Sequence, residues 1–219
     1  MNAGRIIGLL LAGGRGSRFD PSGEHDKLLA PFEGAPVVAR AADSLSDCDH
    51  RVAVLAPDKP LLANALAGAG CELLTTDATR LGLGHSIAAG VRHVQQHGDV
   101  DAVLVMLGDM PQVKRGTVRR LIAEFRAAPA QAIPPTHRIV APSYKGQRGH
   151  PVIFGAAHLP ALSSLRGDHG ASTLLRQLPV QVIEVDDAGV VSDIDTREDL
   201  AVAGCGIDRW RDTPSWHAR

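Results

Sequence analysis

A chain of 219 residues is long enough for one domain with a substantial core, and its length requires no second one. Apolar residues make up 44% of it but aromatics only 3%, so the core has to be built from Ala, Val, Leu and Ile. A formal net charge of −1 supplies no global field for drawing in nucleic acid or an anionic membrane, so any phosphate must be recognised locally.

The apolar run 6–11, closed by glycines, predicts a strand buried on both faces. After the glycine turn the pattern alternates: helix 36–45, strand 51–56, helix 60–66, strand 72–75, helix 86–96, strand 102–107 and helix 115–126. Such alternation implies right-handed crossovers and a mainly parallel sheet between helices. The second half changes character. Segments 139–144 and 151–154 flank the turn-rich 145–149 and predict an antiparallel hairpin; 180–185 and 190–194 predict two more strands around 186–189, before a short helix from Arg197. The Ala/Pro-rich stretch 127–135 reads as a loop, and 205–219 as a C-terminal tail on a domain of residues 1–204. Cys48, Cys71 and Cys205 form neither a CxxC pair nor a disulfide framework, which fits a reducing cytoplasm. The stretch 6–12 is too short to span a bilayer and shows no cleavage pattern, so neither membrane insertion nor export is expected.

Leu11-Ala12-Gly13-Gly14-Arg15-Gly16-Ser17-Arg18 follows the first strand, where glycines let backbone N–H groups close around a phosphate chain. Arg18 adds a fork of donors and Lys27 a compact positive charge. A plain glycine turn with solvated basic residues is the competing reading. The loop is not a Walker motif, since Gly-Lys-Ser/Thr is absent, nor a dinucleotide fingerprint, since Phe19 stands where a third glycine is needed. Asp109, in Gly108-Asp109-Met110-Pro111, lies just past the carboxyl end of a predicted parallel strand, where open α/β sheets place ligand groups; it suits a magnesium ligand or, alternatively, a helix cap. Asp193 and Asp195 are two apart at a predicted strand end and therefore point the same way, an arrangement for a hard cation or for the start of the following helix. His93 and His97 have the i, i+4 spacing that can clamp zinc, but without an evident third ligand they read as a solvated helix face.

The glycine loop followed by Lys27, the Gly108-Asp109-Met110-Pro111 element, Arg148-Gly149-His150-Pro151 and Asp193-Ile194-Asp195-Thr196 together resemble, in order, the motifs of the MobA-like and MocA-like family, which makes molybdopterin dinucleotide cofactors. The resemblance spans roughly residues 6–203. It implies a three-layer, Rossmann-like nucleotidyltransferase fold and a magnesium-dependent transfer of a nucleoside monophosphate, with Arg18, Lys27 and Asp109 catalytic and Asp109 and Asp195 holding the metal. It further implies substrate contacts from Leu11, Ala12, Gly13, Gly14, Gly16, Ser86, Gly108, Arg148 and His150, with the turn of Gly82, Gly84, His85 and Ser86 at the base or ribose. Gly167-Asp168-His169-Gly170 resembles an acceptor-side element. Two departures stand out: 19–26 is about four residues longer than the family's spacing, so Lys27 has slack to be displaced in an empty site, and Gly14 matches guanylyl-transferring rather than cytidylyl-transferring members. The other motifs favour CTP as donor and molybdopterin as acceptor. Transfer of GMP to the same cofactor, transfer to another phosphorylated small molecule, or a non-catalytic protein delivering a cofactor to a molybdoenzyme or its chaperone are the alternatives. No nucleic acid or membrane partner is expected.

Overall fold

The computed structural model describes residues 5–14, 16, 18–22, 25–127 and 134–203. The tail 205–219, residues 15 and 17 of the glycine loop and most of the loop at 127–135 lie outside the described residues.

Chain order gives β1 (Ile6–Leu11), β2 (Pro31–Phe32), β3 (Ala35–Pro36), α1 (Val37–Ser44), β4 (His50–Leu55), α2 (Pro60–Gly68) and β5 (Glu72–Thr75). There follow α3 (Leu83–Val94), β6 (Ala102–Leu107), α4 (Arg115–Arg126), β7 (Ile139–Tyr144), β8 (Gln147–Arg148), β9 (Val152–Gly155), α5 (Leu159–Ser163), α6 (Ser172–Gln177), β10 (Gln181–Glu184) and α7 (Arg197–Val202). The main sheet runs β10-β7-β9-β6-β1-β4-β5, with β8 added to β7. Strands β6, β1, β4 and β5 are mutually parallel, whereas β9 is antiparallel to both β6 and β7. The fold is thus α/β with a mostly parallel sheet and a small antiparallel hairpin, as the alternation predicts.

Each central strand is apolar on both faces because both are covered. Ile6, Leu10, Leu104 and Met106 pack with Val38, Ala41, Leu66, Val118 and Leu121 of α1, α2 and α4. Ile7, Leu9, Val103 and Val105 pack with Ile87 and Val91 of α3 and Leu159 and Leu162 of α5. Gly90 lets α3 lie close: a Cβ there would fall 2.5 Å from Leu9 Cδ1.

The hairpin prediction needs one refinement, and one predicted strand is absent. The β7–β8 and β7–β9 ladders differ in register, so Gly149, His150 and Pro151 bulge between them. Residues 190–194 form no strand; Ala188–Val191 is a 3₁₀ turn. Its geometry is dictated at long range. Asp187 accepts from Lys114 N, Thr117 Oγ1 and Gly189 N, and Gly189 presses so closely on Gln112 that a Cβ would fall 2.3 Å from its carbonyl oxygen. Among the described residues no helix is long and apolar enough to cross a membrane.

Candidate active site

The carboxyl ends of β1 and β6 open into a cleft of about 520 Å³. The parallel pairing of β1 with β6 and with β4 extends to its mouth, where Gly108 N donates to Leu11 O at 2.9 Å and Ala12 N to Val54 O at 2.8 Å. Leu11, Gly13, Gly14, Ser86 and Asp109 line it. Ala12 differs: its side chain is in the core and its amide is already used, which leaves its carbonyl. Gly16 takes φ +62°, a left-handed conformation that suits glycine, and its carbonyl accepts from Phe19 N and Asp20 N.

On the far wall, Gly82 (φ +115°) starts α3 with no side-chain cap. This turn is wedged against the loop at 166–168, with Gly84 N donating to Gly167 O at 2.8 Å and Gly167 N to His85 Nδ1 at 3.0 Å. Asp168 therefore faces the same cleft as the glycine loop. Ser86 is buried and donates to Gly82 O, so its hydroxyl braces the turn. Thr79 and Arg80, also on the wall, were invisible to motif reading: they sit in a 3₁₀ turn, Asp77–Leu81, whose only sequence signal is the cap Thr76, which accepts from Ala78 N.

Around Asp109, charges separated by more than eighty positions converge. Lys27 Nζ lies 2.7 Å from Asp109 Oδ2 and 2.9 Å from Asp195 Oδ1, and Arg18 Nη1 lies 2.6 Å from Asp195 Oδ2. Asp193 joins them: one carboxylate oxygen from each of Asp109, Asp193 and Asp195 falls within 4.8 Å of the others. The cause is local. Ile194 N donates to Asp109 O at 2.9 Å, so the extended 193–195 segment straddles the end of β6 and offers both aspartates there. Thr196 and Asp199 complete a capping box for α7, and its cap and the acidic cluster coexist.

Burial would push the Lys27 ammonium down, but Asp109 and then Asp195 more than reverse this and raise it. Asp193 is raised, chiefly by desolvation and then by the Asp195 and Asp109 charges. Asp109 Oδ1 is buried without a hydrogen-bond partner. An orphaned carboxylate oxygen beside two further carboxylates is a donor set that fits a hard divalent cation.

The long 19–26 segment does not displace Lys27. Asp20, buried, accepts from Ser22 N and Oγ and from His25 N, and lies 2.9 Å from His25 Nδ1, closing the insertion on itself. Asp26 then caps the turn Lys27–Leu29, accepting from Leu28 N and pairing with Lys59. The Ser22 and His25 hydrogen bonds hold the Asp20 carboxyl far below the usual carboxylate range. A depressed value means that its contribution is present above the unfolded value of 3.8 and is lost as pH falls through and below it. Thermal melts of wild type and Asp20→Asn are accordingly expected to differ most near neutral pH and to converge below about 3.8; an equal gap at all pH values would show that Asp20 acts otherwise.

Arg148 and His150 fall on the bulge. His150 N donates to Val190 O at 2.8 Å, and Gly149 sits where a Cβ would meet that same oxygen at 1.9 Å, so the bulge buttresses the segment that carries Asp193 and Asp195. Burial pushes His150 below its ordinary value, against the opposing pull of Asp109 and Asp193, and its Nδ1 is buried without a partner. Arg148 is exposed and reaches Leu175 O at 3.3 Å.

His93 and His97 are not a solvated face. Both, with His50, turn their Nε2 atoms onto Glu72, remote from the cleft.

With this geometry in place, residues 8–182 match the MobA-like NTP transferase domain. The chain belongs to the MobA-like NTP transferase family. It is 28% identical over 212 residues to the purine catabolism protein PucB of Bacillus subtilis, covering 91% of this chain and 96% of that one. A 3-deoxy-manno-octulosonate cytidylyltransferase of Rhodospirillum centenum is 31% identical over 94 residues, 43% of this chain and 37% of that one. Among solved structures, Rv0371c of Mycobacterium tuberculosis H37Rv superposes with a TM-score of 0.76 at 26% identity, covering 93% of this chain and 98% of that one. A second structure of Rv0371c, in complex with manganese, superposes with a TM-score of 0.70 over 91% of this chain and 97% of that one. The MobA-like assignment makes this a protein of the nucleotidyltransferase superfamily.

Proposed function

We propose that the protein transfers CMP from CTP to a phosphate of molybdopterin in the cytoplasm and releases pyrophosphate, with residues 1–204 as the catalytic unit. The observation that carries this reading is the convergence of Lys27, Arg18 and three carboxylates, of which Asp109 lines a cleft edged by a glycine loop. An acceptor phosphate oxygen attacks the α-phosphorus, a new P–O bond forms, and the bond to the β-phosphate oxygen breaks with pyrophosphate leaving. Because a phosphate acceptor is ionised at neutral pH, neither a covalent nucleophile nor a general base is required. Positioning and charge do the work.

The loop at 13–18 cradles the β and γ phosphates. Arg18 is the mobile donor of this set: its side chain is 79% exposed, so its ion pair with Asp195 contributes little to stability and is readily exchanged for a phosphate. Lys27, buried, places its ammonium beside the α-phosphoryl group. Asp109 and Asp195, with Asp193 beside them, would hold magnesium, which would supply positive charge at the phosphate oxygens; the manganese complex of Rv0371c supports a divalent ion in this family. His150 and Arg148 face the acceptor in this reading. The test is pyrophosphate release from each of the four nucleoside triphosphates with and without molybdopterin, expected only with acceptor present.

Gly14 favours a second reading, guanylyl transfer. A Cβ at Gly14 would meet nothing within 4 Å, so alanine fits there without strain and one methyl projects into the cleft. At Gly13 it would fall 2.6 Å from Thr79 Cβ and Cγ2. Gly14→Ala is therefore expected to fold normally and to sharpen preference for CTP over GTP by roughly ten- to two-hundredfold, the range a methyl-sized difference commands, whereas Gly13→Ala loses activity with both. The cytidylyltransferase relative supports CTP. GTP used at least as well as CTP by the wild type overturns the cytidylyl reading in favour of the guanylyl one.

A further inference from the structure

The amino ends of β4 and β5 carry a cluster that the transfer reaction does not use. His50 opens β4, Glu72 opens β5, and His93 and His97 lie at the end of α3 and in the turn after it. Since β4 and β5 run parallel to β1, this is the edge of the sheet opposite the cleft. Helix α3 links the two: its first turn lines the cleft, its last reaches the cluster, and its 12 residues span roughly 18 Å at 1.5 Å per residue.

Three imidazoles converge on one carboxylate. His50 Nε2 lies 2.6 Å from Glu72 Oε2, while His93 Nε2 and His97 Nε2 lie 2.5 and 3.3 Å from Oε1. The ring centroids of His50 and His97, and of His93 and His97, are 5.2 Å apart. Hydrogen bonding alone does not call for this arrangement, because histidines that remain 24 to 37% exposed can be satisfied by water. What the set does match is a borderline-soft cation with nitrogen and oxygen ligands. Zinc takes four ligands tetrahedrally, with N–Zn and O–Zn near 2.0–2.2 Å, so the ligand atoms need to lie about 3.3 Å apart. The ligand atoms of His50, Glu72 and His97 already fall within 4.8 Å of one another, and His93, outside that set but 2.5 Å from Glu72 Oε1, joins as the fourth ligand by side-chain rotation. His93 lies in the last turn of α3 and His97 in the 3₁₀ turn that follows it, the other two ligands are the first residues of adjacent strands, and the partial exposure leaves an entry path.

We propose that His50, Glu72, His93 and His97 form a zinc-binding site that ties the end of α3 to the sheet edge. It is chemically distinct from the aspartate cluster, which offers only carboxylate oxygens and suits magnesium or manganese. The inference stands independently of which nucleotide or acceptor is used.

The full-length protein, stripped with chelator and held in excess magnesium to occupy the carboxylates, is titrated with zinc against a chromogenic zinc chelator. One tightly bound equivalent is expected, with a rise in melting temperature. His50→Gln and His93→Gln, each checked for folding by circular dichroism, are expected to weaken zinc binding at least about a hundredfold, since loss of an outer-shell partner alone costs 10- to 100-fold; His158→Gln, elsewhere on the surface, retains it. Cobalt(II) in place of zinc is expected to show the intense visible bands of tetrahedral coordination, lost in His93→Gln. Zinc held equally well by the folded His50→Gln/His93→Gln double variant, or no binding tighter than micromolar in the wild type, overturns the proposal.

Discussion

Asp109→Asn is expected to lower turnover at saturating magnesium by at least about a hundredfold, with little change in melting temperature. The activity loss follows from position: Asp109 is the only member of the carboxylate cluster that stands at the end of β6, held by the pairing of Gly108 with Leu11, and it touches the Lys27 ammonium at 2.7 Å. Removing one preorganised charge or donor from a site of this kind costs about 10²–10³ in turnover. The stability side follows from the same atoms. One oxygen of Asp109 is buried without a partner, and its charge adds to those of Asp193 and Asp195. Replacing the carboxylate by an uncharged amide of the same shape relieves that repulsion, which offsets the lost pairing with Lys27, whose ammonium keeps Asp195 at 2.9 Å. Steady-state kinetics and thermal melts on the same preparation decide the matter. Turnover near the wild-type value at saturating magnesium would remove Asp109 from the metal site, and a large fall in melting temperature would mean the activity loss reports misfolding.

The sequence reveals those elements whose cause is local. β1, β6 and α4 lie where continuous apolar runs and helical periodicity put them, because both faces of the strands and one face of the helix are buried whatever the detailed packing. The failures share one physical origin. Val190 and Val191 have strand propensity, but their backbone is bent by Asp187, Gly189 and His150, whose partners are Thr117, Gln112 and the Val190 carbonyl. The same holds at the site. Gly13, Asp109 and Asp195 were legible as motifs, yet the pairing of Lys27 with Asp195 spans 168 positions, and Asp168 reaches the cleft only because Gly82 and Gly84 leave room for the loop at 166–168. His50 and Glu72 carry no motif at all. They meet His93 and His97 because adjacent parallel strands begin at one edge and α3 ends there.

Lys27→Met is expected to separate catalysis from metal binding: turnover falls at least about a hundredfold, while manganese binds at least as tightly as to the wild type. Lys27 is the buried countercharge of the cluster, with its side chain 9% exposed and its ammonium 2.7 Å and 2.9 Å from two carboxylates. Methionine keeps much of its volume and removes the charge. Without metal, three carboxylates then face one another with only the exposed Arg18 as countercharge, and breaking a buried pair by deleting one partner costs about 3–5 kcal/mol. The carboxylates here retain 19 and 28% exposure, so solvent screening reduces that cost, and a fall of a few degrees in melting temperature is expected for a chain of this size. A divalent ion restores the missing charge and no longer competes with an ammonium, so manganese should raise the melting temperature of the variant by more than it raises that of the wild type. Manganese is the right probe because the three-histidine cluster disfavours it relative to zinc. Catalysis is not rescued, since in the proposed reaction the ammonium lies beside the α-phosphoryl group whatever ion the aspartates hold. Calorimetric manganese titration, melts with and without the ion, and pyrophosphate release on one set of samples give three separable answers. Weaker manganese binding in Lys27→Met would show that the lysine organises the carboxylates rather than competing for them, and wild-type turnover in this variant would take Lys27 out of the reaction.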